Sequence, residues 1–362
     1  MSSEASTLKR QRTESYSTGN VVDTCGKTSF GTYSMGLPRT DTLILPPFMA
    51  DIETRHPDLW FEDGSVILSA KDTLFRVYKG ILCDASPVFR DLFTVPQPPD
   101  REMMEGCPVI RLNDSEEDME NFLKVLFQGI RAMRTVEGPV AASVYWPITR
   151  ALIRLGDKYQ VDELLEEGKE RLQARLPGTL AAWDELYYPH GIEDDEDVWP
   201  DSVHAIAMAN LASQHNMAEV HVRALYRCTL LEPATLVGGC PGPEGTREYL
   251  SPPDLARCMA ARTALVKWDV LMRFNLLSTP QKLDCCPRGY KKIRILLTDY
   301  DHLMSDLSMP LDFLGRASWV RRRCEEAHLC TDCTELYMNA YSNTRQAMFS
   351  ELRIYMGIYS NQ

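Results

Sequence analysis
Short runs rich in β-branched and aromatic residues cluster near position 70, and beyond them apolar residues recur at steps of three and four. Val66-Ile67-Leu68 and Leu74-Phe75-Arg76-Val77 are joined by Ala70-Lys71-Asp72; two such segments around a tight polar turn predict a β-hairpin. An apolar helix signal follows, and then Ser86-Pro87, a serine N-cap with proline at the first helical position. Phe89, Leu92 and Phe93 continue that helix at helical spacing.

The next elements follow from similar signals. Pro108-Val109-Ile110-Arg111-Leu112 reads as a strand. Ser115 with Asp118 three residues on forms a capping box, and Met119, Phe122, Leu123, Leu126 and Ile130 mark one buried helix face. Trp146-Pro147 predicts a helix start, with Ile148, Leu152, Leu155 and Tyr159 inward, and Asp162 is positioned to cap a second helix. Val203 to Leu231 contains neither Pro nor Gly and reads as helical. Pro253-Asp254 opens a helix through Ala264, Leu265, Trp268, Leu271, Met272 and Leu276, and Leu336, Ala340, Ala347, Leu352 and Ile354 give the last forty residues helical spacing.

Three stretches interrupt this pattern. Residues 1–50 are rich in Ser, Thr and Gly and predict a disordered tail. Within it, Lys9-Arg10-Gln11-Arg12 reads either as an import signal or as solvated charge. Glu193-Asp194-Asp195-Glu196-Asp197 predicts a solvated loop, and Gly238 to Gly245 is too rich in Gly and Pro for a regular element. The 362 residues therefore divide into a tail, a folded unit at 56–175 and a helical unit at 200–362.

Composition narrows the function classes. A net charge of -12 argues against nucleic acid as the main partner, because phosphate binding needs a concentrated positive field. No apolar run approaches the roughly 20 residues of a membrane span, and MSSEASTLKRQRTES lacks the apolar stretch of a signal peptide. Eleven cysteines without a secreted-scaffold rhythm suit a reducing compartment, with cytosol or nucleus expected.

The order hairpin, short helix, serine-capped helix, strand, helix and closing helix pair resembles the BTB/POZ domain over residues 56–175. The phrases FEDGSVIL, FRVYKGIL, SPVFRDLF and PQPP are most similar to BTB proteins present in many copies in mushroom-forming fungi. The resemblance implies an α+β fold, a short mixed sheet capped by a helical cluster, followed here by an all-α C-terminal region. It implies protein pairing and no catalysis, with homodimers common and cullin docking in some members. Cullin-docking members carry a hydrophobic-x-Glu triplet before a later strand, a position held here by Met103-Met104-Glu105. The same three residues also fit an ordinary loop with its methionines folded back. Two departures matter: Tyr78 stands where many members have histidine, and Ser65 where they have its acidic partner. That acid and histidine line a peptide pocket in some transcriptional members, so such a pocket is not expected here.

The chemistry-bearing residues are few. Cys330-Thr331-Asp332-Cys333 brings two thiolates within reach of one tetrahedral zinc, and Cys285-Cys286 would complete a structural site. Against this, adjacent cysteines do not easily chelate one ion, and buried cysteines often serve packing alone. Cys324 and His328 are spare ligands nearby. His215 and His221, six residues apart, face different ways on a helix. Phosphate loops, G-x-S-x-G elbows and H-E-x-x-H helices do not occur. The expected function is protein recognition, as a dimerising module or cullin-type ubiquitin-ligase adaptor. The alternative is a transcriptional or chromatin regulator on a BTB dimer, and behind both an enzyme in the helical unit.

Overall fold
A strand with no clear sequence signal, β1 (Thr54–Trp60), opens a five-stranded mixed sheet. The structure is a computed structural model that describes residues 53–95, 102–129, 140–187, 204–280, 285–298, 314 and 317–358. The N-terminal tail with Lys9–Arg12, the acidic run Glu193–Asp197 and Ile130 lie outside the described residues.

The predicted hairpin forms as β2 (Val66–Ala70) and β3 (Thr73–Val77), antiparallel, with Ala70 opposite Thr73 and Lys71 at φ 52° in the turn. β1 runs parallel to β3, and its register shifts between Arg55 and Trp60, where Pro57 offers no N–H to a ladder. His56 fills the irregularity, its Nδ1 accepting from the Asp58 and Leu59 N–H groups at 3.1 and 3.2 Å. Two helices follow, α1 (Lys79–Ala85) and α2 (Pro87–Thr94). Ser86 caps α2 by accepting from the Phe89 N–H at 3.0 Å, and its hydroxyl donates to the buried Tyr159 carbonyl at 2.5 Å. A two-residue edge strand, β4 (Met103–Met104), turns into β5 (Cys107–Leu112), which lies parallel to β2 and completes the order β1-β3-β2-β5-β4.

Three helices cover the sheet or lead away from it: α3 (Glu116–Gln128), α4 (Val140–Lys158) and α5 (Asp162–Arg175). Leu59, Val66, Leu68, Phe75 and Val77 from the sheet pack with Leu82, Phe89, Phe122, Leu152 and Tyr159, all buried. The other sheet face carries a smaller cluster of Ile67, Leu74, Cys107 and Val109, flanked by Trp60 and Met104. Alternation along β2 sends Ile67 to one face and Val66 with Leu68 to the other, as strand geometry requires.

α4 and α5 also face outward into a second core. Trp146, Ile153, Leu172 and Leu176 join buried residues of α6 (Leu180–Tyr187), α7 (Ala205–Gln214) and α8 (Ala218–Thr229). After α9 (Pro233–Gly238), a small ribbon of β6 (Cys240–Pro241) and β7 (Arg247–Glu248) leads to α10 (Pro252–Leu277). A third cluster joins the far end of α10 to α11 (Pro287–Thr298), α12 (Ala317–Glu326) and α13 (Thr331–Tyr355) through Met272, Leu276, Tyr290, Ile293, Val320, Tyr337 and Tyr341.

Several expectations change. α4 begins before Trp146 and holds Pro147 inside it; the missing hydrogen bond is outweighed by burial of Trp146, Ile148 and the helix beyond. Asp162 starts α5 in its first turn, where a carboxylate suits the helix dipole, and caps nothing. The 203–231 stretch splits into α7 and α8 at Asn216, whose φ of 56° breaks the helix without Pro or Gly. Leu271 of α10 and Ile354 of α13 are exposed; the buried face of α13 is Cys333, Tyr337, Tyr341, Thr344, Met348 and Leu352.

The Gly/Pro segment is not featureless, so among the described residues the C-terminal region is helical with one short ribbon. Gly239, at φ 78°, lets the chain approach so closely that a Cβ there would stand 2.6 Å from the Glu248 carbonyl oxygen. The ribbon docks on the sheet domain. Glu244 Oε1 accepts from the Glu116 N–H at 3.0 Å, capping α3 from 128 residues away, and Glu248 pairs with Arg154 at 2.5 Å.

Candidate functional site
Met103, Met104 and Glu105 do not form a loose loop. Two of them make β4, and Glu105 with Gly106, both at positive φ, make the tight turn into β5. Met104 folds against the Ile67–Leu74 cluster, whereas Met103 is 46% exposed. The Glu105 carboxylate is exposed but tied to the domain surface, bonded to Arg55 and, at 3.1 Å, to Arg76. Of the triplet, Met103 and Glu105 are both exposed, and Met104 is the residue that folds inward.

The region of Tyr78 and Ser65 holds a contact that sequence reasoning missed. Ser65 Oγ accepts from the Lys79 N–H at 3.0 Å, at the start of α1. The Tyr78 hydroxyl donates to Asp63 at 2.6 Å, and its ring stacks on Phe61 with centroids 5.0 Å apart. This bond raises the Tyr78 pKa, so the phenol keeps its proton. An acid two residues before Ser65 is thus the partner of Tyr78, a pairing that spacing along the chain does not reveal because the turn after β1 folds back.

Cys285, Cys286, Cys330 and Cys333 come together despite the adjacency of the first two. Their four sulfurs all lie within 4.8 Å of one another. Cys285 sits in a turn and Cys286 just before α11, so the chain changes direction between them and both side chains reach one point. Cys330 precedes α13 and Cys333 lies in its first turn. Cys285 Sγ is 3.0 Å from Cys330 Sγ and 3.8 Å from Cys286 Sγ. Hydrogen bonding from Cys285, aided by the Cys333 N–H, draws the Cys330 thiol down to about 7; the same contact pushes Cys285 up to about 12. Cys324, the spare ligand, is fully buried, and its burial raises its thiol to about 12. His215 and His221 do not converge: His221 instead meets Asp254 at 3.3 Å.

Two other surface features belong to the helical region. Along α10, Met259, Val266, Val270, Leu271 and Phe274 are exposed on one side of the helix, with Lys267 among them. A cleft of ≈ 360 Å³ opens between α6, α8 and α13. Among the described residues its one carboxylate, Glu219, is shared between two arginines, lying 3.5 Å from Arg223 and 2.9 Å from Arg353, so the lining keeps one net positive charge.

A model of the BTB/POZ domain family matches residues 63–176, and this part of the chain is a BTB/POZ domain. BTB domains are a non-enzymatic family that mediates protein–protein interaction and oligomerisation, so the chain carries a protein-interaction module. No curated protein matches the chain. No helix among the described residues is long and apolar enough to cross a membrane.

Proposed function
We propose that the chain is an adaptor that homodimerises through its BTB domain and holds a second protein on its helical region, in the manner of a cullin-type ubiquitin-ligase adaptor. The observation that carries this reading is the shared helix pair: α4 and α5 contribute Leu152, Leu155 and Leu164 to the BTB core and Trp146, Ile153 and Leu172 to the next one. An adaptor needs such a link, because two partners are oriented by one body only when the connection does not flex. Two outward surfaces are then available on that body. One is the β4 edge with Met103, a flexible thioether suited to an irregular partner surface. The other is the α10 stripe, whose apolar residues around Lys267 suit a partner helix with an apolar ridge and an acidic residue.

The test has two parts. Sedimentation at micromolar concentration is expected to give twice the 41.2 kDa chain mass. Calorimetry with a purified cullin N-terminal domain is expected to show binding that Met103→Glu weakens about tenfold, or ~1.4 kcal/mol. Met103 is a cleaner probe than Glu105, whose replacement would also break its bonds to Arg55 and Arg76. A monomer that binds no cullin domain would sink the proposal. A dimer without cullin binding would instead favour the transcriptional alternative.

A further inference from the structure
We propose that Cys285, Cys286, Cys330 and Cys333 bind a single zinc ion, a structural site that fastens the start of α11 to the start of α13. The inference is independent of the adaptor reading. A tetrahedron with Zn–S bonds of about 2.3 Å has edges of about 3.8 Å. The observed separations, from 3.0 Å between Cys285 and Cys330 to a limit of 4.8 Å, bracket that edge, so shifts of an ångström or less close the site.

Other uses of the four thiols fit less well. Disulfides draw sulfurs together in separate pairs at about 2.05 Å, whereas here all four share one centre, each within 4.8 Å of every other. An iron–sulfur cluster distributes four thiolates over two or more irons bridged by sulfide, which spreads them more widely than this. Packing is the role of Cys228, Cys258 and Cys324, each fully buried in an apolar cluster. Here Cys285 is exposed and Cys286 and Cys330 are half-buried; Cys333 is buried like the packing cysteines, but its sulfur lies within 4.8 Å of the other three.

The surroundings are those of a ligand shell. Four thiolates around Zn²⁺ carry excess negative charge, which outer hydrogen bonds temper. The Cys330 N–H donates to Cys286 Sγ at 3.3 Å, and the Tyr290 hydroxyl donates to Cys333 Sγ at 3.5 Å. The backbone is shaped for the approach. Gly289, in the first turn of α11, faces the α12–α13 turn so closely that a Cβ would stand 2.8 Å from Leu329 Cδ2 and 2.9 Å from the Ala327 carbonyl oxygen. His328, at φ 55°, turns the chain there and so acts through the backbone, not as a ligand. Zinc binding would release the thiol protons to solvent, so affinity rises with pH.

The experiment uses the full chain purified under reducing conditions without chelator. Elemental analysis is expected to find about one zinc per chain, falling to less than about a tenth in Cys285→Ser and Cys330→Ser, while Cys83→Ser retains it. Because these variants could lose structure for other reasons, cobalt exchange into the wild type provides a separate readout. It should give the visible bands and sulfur-to-cobalt charge transfer of a tetrahedral tetrathiolate. A chelator should lower the melting temperature of the wild type and leave that of Cys330→Ser unchanged. A zinc-free wild type that takes up no cobalt, with the four thiols all reactive or paired as disulfides by intact mass, would overturn the proposal.

Discussion
Replacing Ile153 by alanine probes whether the BTB domain and the helical region melt as one body. Ile153 is fully buried in the helical core against Gly168 of α5, while its neighbour Leu152 is fully buried in the BTB core. Losing a buried Ile or Leu side chain to alanine costs about 2–5 kcal/mol, depending on how far the site can collapse. Collapse is limited here. A Cβ at Gly168 of α5 would stand 2.8 Å from Ile153 Cγ1, so the two helices are already as close as their backbones permit. The upper half of the range applies, about 4 kcal/mol. At about 2–4 °C per kcal/mol for a large single unit, the melting temperature falls by roughly 8–16 °C. Scanning calorimetry and circular dichroism on wild type, Ile153→Ala and Leu152→Ala are expected to give one transition in each case, shifted comparably by both substitutions. The ratio of calorimetric to van't Hoff enthalpy should stay near unity. Two resolved transitions, with Ile153→Ala moving only one of them, would refute the reasoning.

Other outcomes follow from individual contacts. Phe75→Asp and Leu82→Asp each place a charge at a fully buried position and are expected to abolish soluble, cooperatively melting protein, as expression and calorimetry would show. Asp118→Ala removes one of the two carboxylates on Arg150, 5% exposed, and leaves Glu117 at 2.6 Å; urea denaturation should show a loss of about 1.5–3 kcal/mol, and no measurable loss would contradict it. Burial, with Arg150 adding to it, holds His204 down to about 4, so the folded state resists its protonation. Stability should therefore be full above about pH 6.5 and decline as pH falls toward 4; melting curves of His204→Gln should flatten that decline.

Local signals were strong where short-range chemistry decides the backbone. The β2–β3 turn, Ser86 at the start of α2 and Ser115 at the start of α3 were all legible, because each is a turn or cap made within four residues. β1 was not, since its exposed and buried positions follow an irregular register around Pro57 rather than strict alternation. The phase of α13 was missed for another reason. Its inward face is built from Tyr337, Tyr341 and Thr344, amphipathic residues that a purely apolar pattern passes over. The β6–β7 ribbon looked like a linker because Gly and Pro dominate it, and only the distant partners Glu116 and Arg154 give it a place. At the candidate sites, Cys330-x-x-Cys333 was visible from spacing alone. That Cys285 and Cys286 reach it from 45 residues away depends on Gly289, whose role appears only when α11 meets the next turn.

α10 and α13 run through both helical cores in opposite directions. α10 leaves the first core at Cys258, Ala261 and Leu265 and enters the second at Met272 and Leu276; α13 returns from Cys333 and Tyr337 to Met348 and Leu352. Twenty-five helical residues span about 37 Å at 1.5 Å each, so the cysteine cluster stands at the tip of a stiff two-helix arm. In a two-fold pair of chains, the two tips would then be separated by one set distance. Partners seated on the two exposed α10 stripes would be held apart by that same fixed geometry, since α10 crosses both helical cores without a break.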